Sequence, residues 1–291
     1  LAGMIMTLWT GDGSAVEVAR VQPMKLAAME GLYDGNVGQS LVAVGFVNPD
    51  KKPGDNLEAI KGEISIPYGL SILANHDPNS FVPGINDLIE GRTITADGDT
   101  VYGDSYADRI VMGKAAREAL ARYAEAKSSG DTAAMSRAKD DVMANFKYFG
   151  YGYLDSAEEA VPPVALTFYS FRVMVMAGGY LLLLFIALIF ICYRRKAVLE
   201  KPWLHWLGII SVPVVWICSQ AGWIVAEVGR QPWVIQDLMP TRAAISGITT
   251  GSVQLTFWIF AVLFTMLLAA EISIMLRYIG RASHKNIEQP E

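Results

Sequence analysis

VMVMAGGYLLLLFIALIFICY, residues 173–193, runs 21 positions without a charged side chain. At 1.5 Å rise per residue the run reaches about 31 Å, enough to cross a bilayer core of roughly 30 Å. A buried helix of a large soluble protein is the alternative, but soluble helices keep a polar face, and YLLLLFIALIFICY has none. Two more uncharged runs follow, Trp203 to Ala226 and Ala243 to Ala270, 24 and 28 residues long. The first ten residues, LAGMIMTLWT, read as the end of another span. The fold expected is therefore an all-α membrane protein, a transmembrane helix bundle with a long extracytoplasmic loop that contains helices.

The charges divide along the chain. Residues 11–160 carry 23 acidic and 14 basic side chains, while all the rest carry 6 and 10. An acidic water-facing region followed by a segment in a different solvent explains the split. Basic residues set the orientation: Arg194, Arg195, Lys196 and Lys201 lie between the first two spans, and Arg277, Arg281 and Lys285 follow the third. These ends are expected in the cytoplasm. The expected organisation is 1–10, end of a span; 11–163, outer loop; 164–193, span; 203–227, span; 228–250, outer linker; 251–279, span; and 280–291, cytoplasmic tail. Within the outer loop, residues 50–100 are dense in Gly, Pro, Asp and Asn and read as irregular chain with short ordered pieces. Apolar residues at three- and four-residue steps over 105–148, broken at Ser128, Ser129 and Gly130, predict a helical hairpin.

Composition excludes several function classes. A net charge of -5 gives no electrostatic reason to expect nucleic acid as a partner. Two cysteines, Cys192 and Cys218, both in apolar runs, support neither a disulfide framework nor a thiolate cluster. Neither a phosphate-binding GxxxxGK[ST] loop nor an HExxH or CxxC pair occurs, and the three histidines, His76, His205 and His284, are scattered.

The informative residues are polar groups beside apolar spans, where a charge needs a partner. Arg172, with Met174 and Met176 beside it, is either an interfacial arginine snorkelling to headgroups or a guanidinium placed for an anionic cofactor edge next to a thioether ligand. Glu227 and Arg230 in GWIVAEVGRQPW share a helical face, so they form either a local ion pair or a carboxylate metal ligand with a neighbouring cation. Gln22, Lys25 and Glu30 in VQPMKLAAMEG are either solvated residues of an amphipathic helix beginning at Pro23, or a donor and acceptor for a lipophilic substrate with polar ends.

Three blocks, QPMKLAAMEG at 22–31, SFRVMV at 170–175 and GWIVAEVGRQPW at 222–233, resemble in order subunit I of the cytochrome bd type quinol oxidases. IPYGLSILANHDPNS and VPGINDL are similar to that family's long outer quinol loop. The resemblance spans essentially the whole chain and covers the C-terminal half to three fifths of such a subunit. It implies that Lys25 and Glu30, with Gln22 nearby, bind and oxidise quinol. It further implies that Met174 is an axial ligand of a low-spin haem b and Glu227 a ligand of a high-spin haem. Arg172, Trp223 and Arg230 then stand beside the haems. The implied cofactors are low-spin haem b, high-spin haem b, and haem d or a third haem. The implied reaction passes electrons from quinol to oxygen, giving water, in the bacterial cytoplasmic (inner) membrane. Implied partners are membrane lipid, subunit II, a small single-span subunit, and an N-terminal half carrying the family's histidine ligands, without which the isolated chain is expected to be inactive. A reading from another class, a non-catalytic membrane scaffold that binds a partner through its outer helical hairpin, stands beside this one. A small-molecule transporter has little support, since Pro213 is an isolated helix breaker.

Overall fold

The computed structural model describes residues 1–95, 97–194 and 201–287; Arg195 and Lys196, which weigh in the orientation, lie outside the described residues. The chain divides into two units, Leu1–Ala244 and Ile245–Glu291. In the first unit, helix α1 (Ala2–Val21) continues past Thr10 through Gly11, Asp12 and Gly13, and α2 (Pro23–Glu30) follows after one residue. Pro23 opens α2, where its missing N–H costs nothing. Gly31 closes it at φ 63°, a left-handed position that suits glycine.

The stretch between α2 and the apolar helices is ordered by short pieces. Strands β1 (Asn36–Val37), β2 (Leu41–Val47) and β3 (Ile60–Ile66) precede α3 (Gly69–Asn75), β4 (Phe81–Val82), α4 (Ile85–Glu90), β5 (Arg92–Ile94) and β6 (Thr100–Tyr102). Their pairings are all antiparallel: β1 with β4, β2 with β3, β5 with β6. The stretch expected to be irregular thus holds the seven-residue strand β3, whose partner β2 lies across a 12-residue connection (48–59). The expected helical hairpin is present as α5 (Tyr106–Ser129) and α6 (Thr132–Asn145). Ser105 and Asp108 exchange capping bonds at the start of α5, and Asp131 accepts from Ala133 and Ala134 at the start of α6. Two 3-10 helices, Phe146–Tyr153 and Ala157–Ala160, lead into the membrane helices.

Helices α7 (Val164–Arg194) and α8 (Pro202–Val228) pack together and meet through Tyr180 and Ser211 (3.2 Å) and through the Cys218 thiol, which donates to the Met174 carbonyl (3.4 Å). Their apolar windows are only 6% and 11% buried within the protein, so most of that surface requires an apolar medium. A short hairpin, β7 (Trp233–Ile235) with β8 (Met239–Pro240), ends the first unit's ordered elements. The second unit contains α9 (Thr250–Ile287), a third helix long and apolar enough to span.

Helix α2 joins two cores. Met24 and Ala27 pack with Tyr33, Ile85, Tyr106, Tyr151 and Trp233, whereas Leu26 and Met29 pack with Leu70, Val82 and Val225. Six of its eight residues are buried, so its position is fixed from both sides. Arg109 stacks on the rings of Tyr106, Tyr148 and Tyr151, and Tyr151 donates to Asp237 (2.7 Å), tying the helical hairpin to the β7–β8 connection.

The backbones of α5 and the 3-10 segment touch at two glycines. A Cβ at Gly113 would stand 2.3 Å from the Gly152 nitrogen. Gly113→Ala is therefore expected to destabilise the subunit by about 1–3 kcal/mol through overpacking, whereas Gly208→Ala, with nothing within 4 Å of the added carbon, leaves it nearly unchanged. Thermal denaturation of the detergent-solubilised protein distinguishes the two.

Candidate functional site

The site is built where α2, α7 and the C-terminal end of α8 converge. Glu30, the last residue of α2, is 2% exposed, and Arg172, about two turns into α7, is 6% exposed. The Arg172 Nη2 donates to Glu30 Oε2 (2.7 Å) and to the Val42 carbonyl on β2 (2.7 Å), and Nη1 donates to the Met29 carbonyl. The guanidinium also lies 3.8 Å from the Phe168 ring centroid. One side chain thus fastens the β2–β3 hairpin and α2 to α7, the helix that carries Met174. Glu30 Oε1 and Arg172 Nε are buried without a partner.

Burial raises the Glu30 carboxyl above the ordinary value of 4.5 to about 7, against the opposing pull of Arg172. A carboxyl poised there exchanges its proton near neutral pH, the range a general base requires.

Lys25 faces elsewhere. Its Nζ donates to the Ala226 carbonyl (3.3 Å) at the end of α8, and burial, followed by the charge of Arg230, holds the amine below the ordinary lysine range. There Glu227 Oε2 accepts from Arg230 Nη2 (2.5 Å), and the Arg230 Nε is buried without a partner. Five residues along a helix at about 100° each turn a side chain by about 140°, which is why Lys25 and Glu30 reach different neighbours. Met174 lies between α7 and α8, where a Cβ on Gly222 would come 3.1 Å from its sulfur. Trp223 is 63% exposed, and Gln22 Oε1 is buried without a hydrogen bond. The structure therefore brings together Glu30 with Arg172, and Lys25 with Glu227 and Arg230, and leaves Gln22 and Trp223 outside both groups.

With this geometry, the family model for cytochrome bd terminal oxidase subunit I matches residues 1–283. The chain belongs to that family. It is 34% identical over 277 residues to the cytochrome bd-II ubiquinol oxidase subunit 1 of Escherichia coli (strain K12), covering 94% of this chain and 52% of the relative. It is 28% identical to the cytochrome bd ubiquinol oxidase subunit 1 of Bacillus subtilis (strain 168), covering 95% of this chain and 46% of the relative. Its fold is similar to a chain of the bd oxidase from Geobacillus thermodenitrificans, with a TM-score of 0.59, 23% identity, and 96% and 46% of the two chains covered. The chain spans about half the length of these bd oxidase relatives.

The bd family implies haem, and the residues present fit it by donor type. Met174 offers a thioether, Glu227 retains a carboxylate oxygen not engaged by Arg230, and the orphaned Arg230 Nε is a donor suited to an anionic edge. Among the described residues no group of three His, Cys, Asp or Glu side chains could hold a metal ion. Arg172 is committed mainly to Glu30, Met29 and Val42. Sequence reasoning missed the Val42 carbonyl, the Phe168 ring and Gly222. Gly222 alone left a signal, standing within the GWIVAEVGRQPW block.

The raised Glu30 carboxyl gives a signed prediction. Because its folded value exceeds the unfolded one, its favourable contribution is complete below about 4.5 and is lost as pH rises through about 7. Glu30→Gln should flatten the fall in melting temperature between about pH 5 and about pH 8; melts of the two proteins across that window measure it.

Proposed function

We propose that this chain is the quinol-oxidising part of a bd-type terminal oxidase, taking electrons from membrane quinol at the outer face for reduction of oxygen to water. The observation that carries the reading is the buried Glu30–Arg172 pair, which links the QPMKLAAMEG block to a point two residues before Met174. Quinol oxidation releases two protons and two electrons, so the site needs a proton acceptor beside an electron acceptor. Glu30 is the acceptor for the proton: it is desolvated, poised near neutral pH, and held by Arg172, which stabilises its ionised form. Lys25, on the opposite side of α2, holds the end of α8 through the Ala226 carbonyl and orients the Glu227–Arg230 pair.

Met174 and Glu227 would hold a low-spin and a high-spin haem b, with Arg230 and Trp223 beside the latter and a third haem, of d type, completing the set. Bound there, the haems supply one-electron transfer and oxygen binding. Subunit II and a small single-span subunit complete the complex. The basic residues beside the spans favour a multi-pass topology in the bacterial cytoplasmic membrane, with residues 11–163 outside and the C-terminus in the cytoplasm. Release of protons outside, with uptake for water formation from the other side, separates charge without a pumping channel.

In the complete oxidase, Glu30→Gln is expected to lower quinol oxidation by a factor of about 10² or more with the reduced haem spectrum kept, and Met174→Leu to alter the low-spin haem bands. Full turnover in Glu30→Gln would overturn the role given to Glu30, and unchanged spectra and oxygen consumption in Met174→Leu and Glu227→Gln would favour the non-catalytic scaffold.

A further inference from the structure

Between α2 and the β2–β3 hairpin lies a cavity of about 350 Å³ whose lining includes Glu30, Asp34, Gln39, Lys51, Glu58 and Glu63. Among these Glu30 is buried, and its Oε1 has no hydrogen-bond partner in the protein. Three exposed carboxylates, Asp34, Glu58 and Glu63, also line the cavity. The cavity has room for on the order of ten waters, and its polar lining suits water better than an aromatic ring.

The charges facing Glu30 divide by element. From α7 comes Arg172, already bonded to Oε2. From the connection between β2 and β3 comes Lys51, but its ammonium is held by the Asp55 carboxylate (2.8 Å) and carbonyl (2.6 Å) over the Tyr33 ring. Lys51 therefore does not neutralise Glu30. Glu58 lies on the same connection, Glu63 on β3, and Tyr33 and Asp34 on the chain leaving α2.

From this arrangement we infer that the cavity is the proton exit of the quinol site: Glu30 passes each proton through water to Asp34, Glu58 and Glu63 at the outer surface. The inference rests on the reading of Glu30 as proton acceptor and adds the route and its residues. In each turnover quinol becomes quinone and gives its two protons successively to the Glu30 carboxylate and then to cavity water; haem, when bound, would accept its two electrons. Glu30 returns to the carboxylate after each transfer, so no further reagent is consumed.

Two variants of the complete oxidase test the route. Ser40→Leu puts an apolar side chain at a lining position that makes no hydrogen bond to Glu30 or Arg172. Glu58→Gln with Glu63→Gln removes surface carboxylates whose side chains are exposed, which avoids a folding defect. With the haem spectrum unchanged, Ser40→Leu is expected to lower kcat about tenfold, keep KM for quinol, slow dye-detected proton release from proteoliposomes and enlarge the solvent deuterium effect. The double variant is expected to lose severalfold in kcat and to regain it with added imidazole as a mobile proton carrier. A raised KM with kcat kept in Ser40→Leu would overturn the route by placing the quinol ring in the cavity. Normal kinetics and proton release in both variants would also overturn it. If Glu30→Gln is inactive while both variants are normal, the exit route alone fails; if Glu30→Gln is fully active, the reading beneath it fails.

Discussion

The carboxyl group of Glu30 and the guanidinium of Arg172 are both withdrawn from solvent, and each depends on the other. Breaking a buried pair by removing one partner typically costs about 3–5 kcal/mol, because the survivor is left uncompensated. Here the same guanidinium also serves the carbonyls of Met29 and Val42, so three separate segments of chain are held at one point. The outer hairpin, the short helix α2 and the membrane helix α7 could not move independently without opening that network. The outer loop is thereby registered against the helix that carries Met174.

This arrangement reconciles two opposing requirements. A proton acceptor for quinol must be desolvated enough to titrate near neutral pH, yet must still be able to carry charge when its proton leaves. Burial supplies the first and Arg172 the second. The structure also separates the two α2 residues first expected to act together: Glu30 is paired with Arg172, and on the proposed reading takes the proton, whereas Lys25 braces the end of α8 near Glu227 and Arg230.

Much of the architecture was legible because lipid imposes strong rules. Uncharged runs of 21 to 28 residues marked α7, α8 and α9, and the Ser128–Gly130 break between two amphipathic stretches marked the α5–α6 hairpin. Strands β2 and β3 were not legible, because their pairing depends on partners across a connection rich in turn residues, where local composition favours loop. The continuation of α1 through Gly11 and Gly13 ran against glycine's low helix propensity. The candidate ligands and carboxylates could be named from their blocks, but not their partners: Arg172 and Glu30 lie 142 residues apart, and no local pattern encodes such a contact. That Lys25 and Glu30 point apart was, by contrast, available from helix geometry alone.

On the proposed reading Glu30 changes protonation as quinol delivers electrons. The most direct measurement is the time-resolved infrared difference spectrum of the complete oxidase while quinol reduces it near neutral pH, which catches Glu30 before it returns to the carboxylate. A carboxyl C=O band that disappears in Glu30→Gln, with the haem bands retained, is the predicted result. Identical difference spectra in the carboxyl region for the two proteins would contradict it.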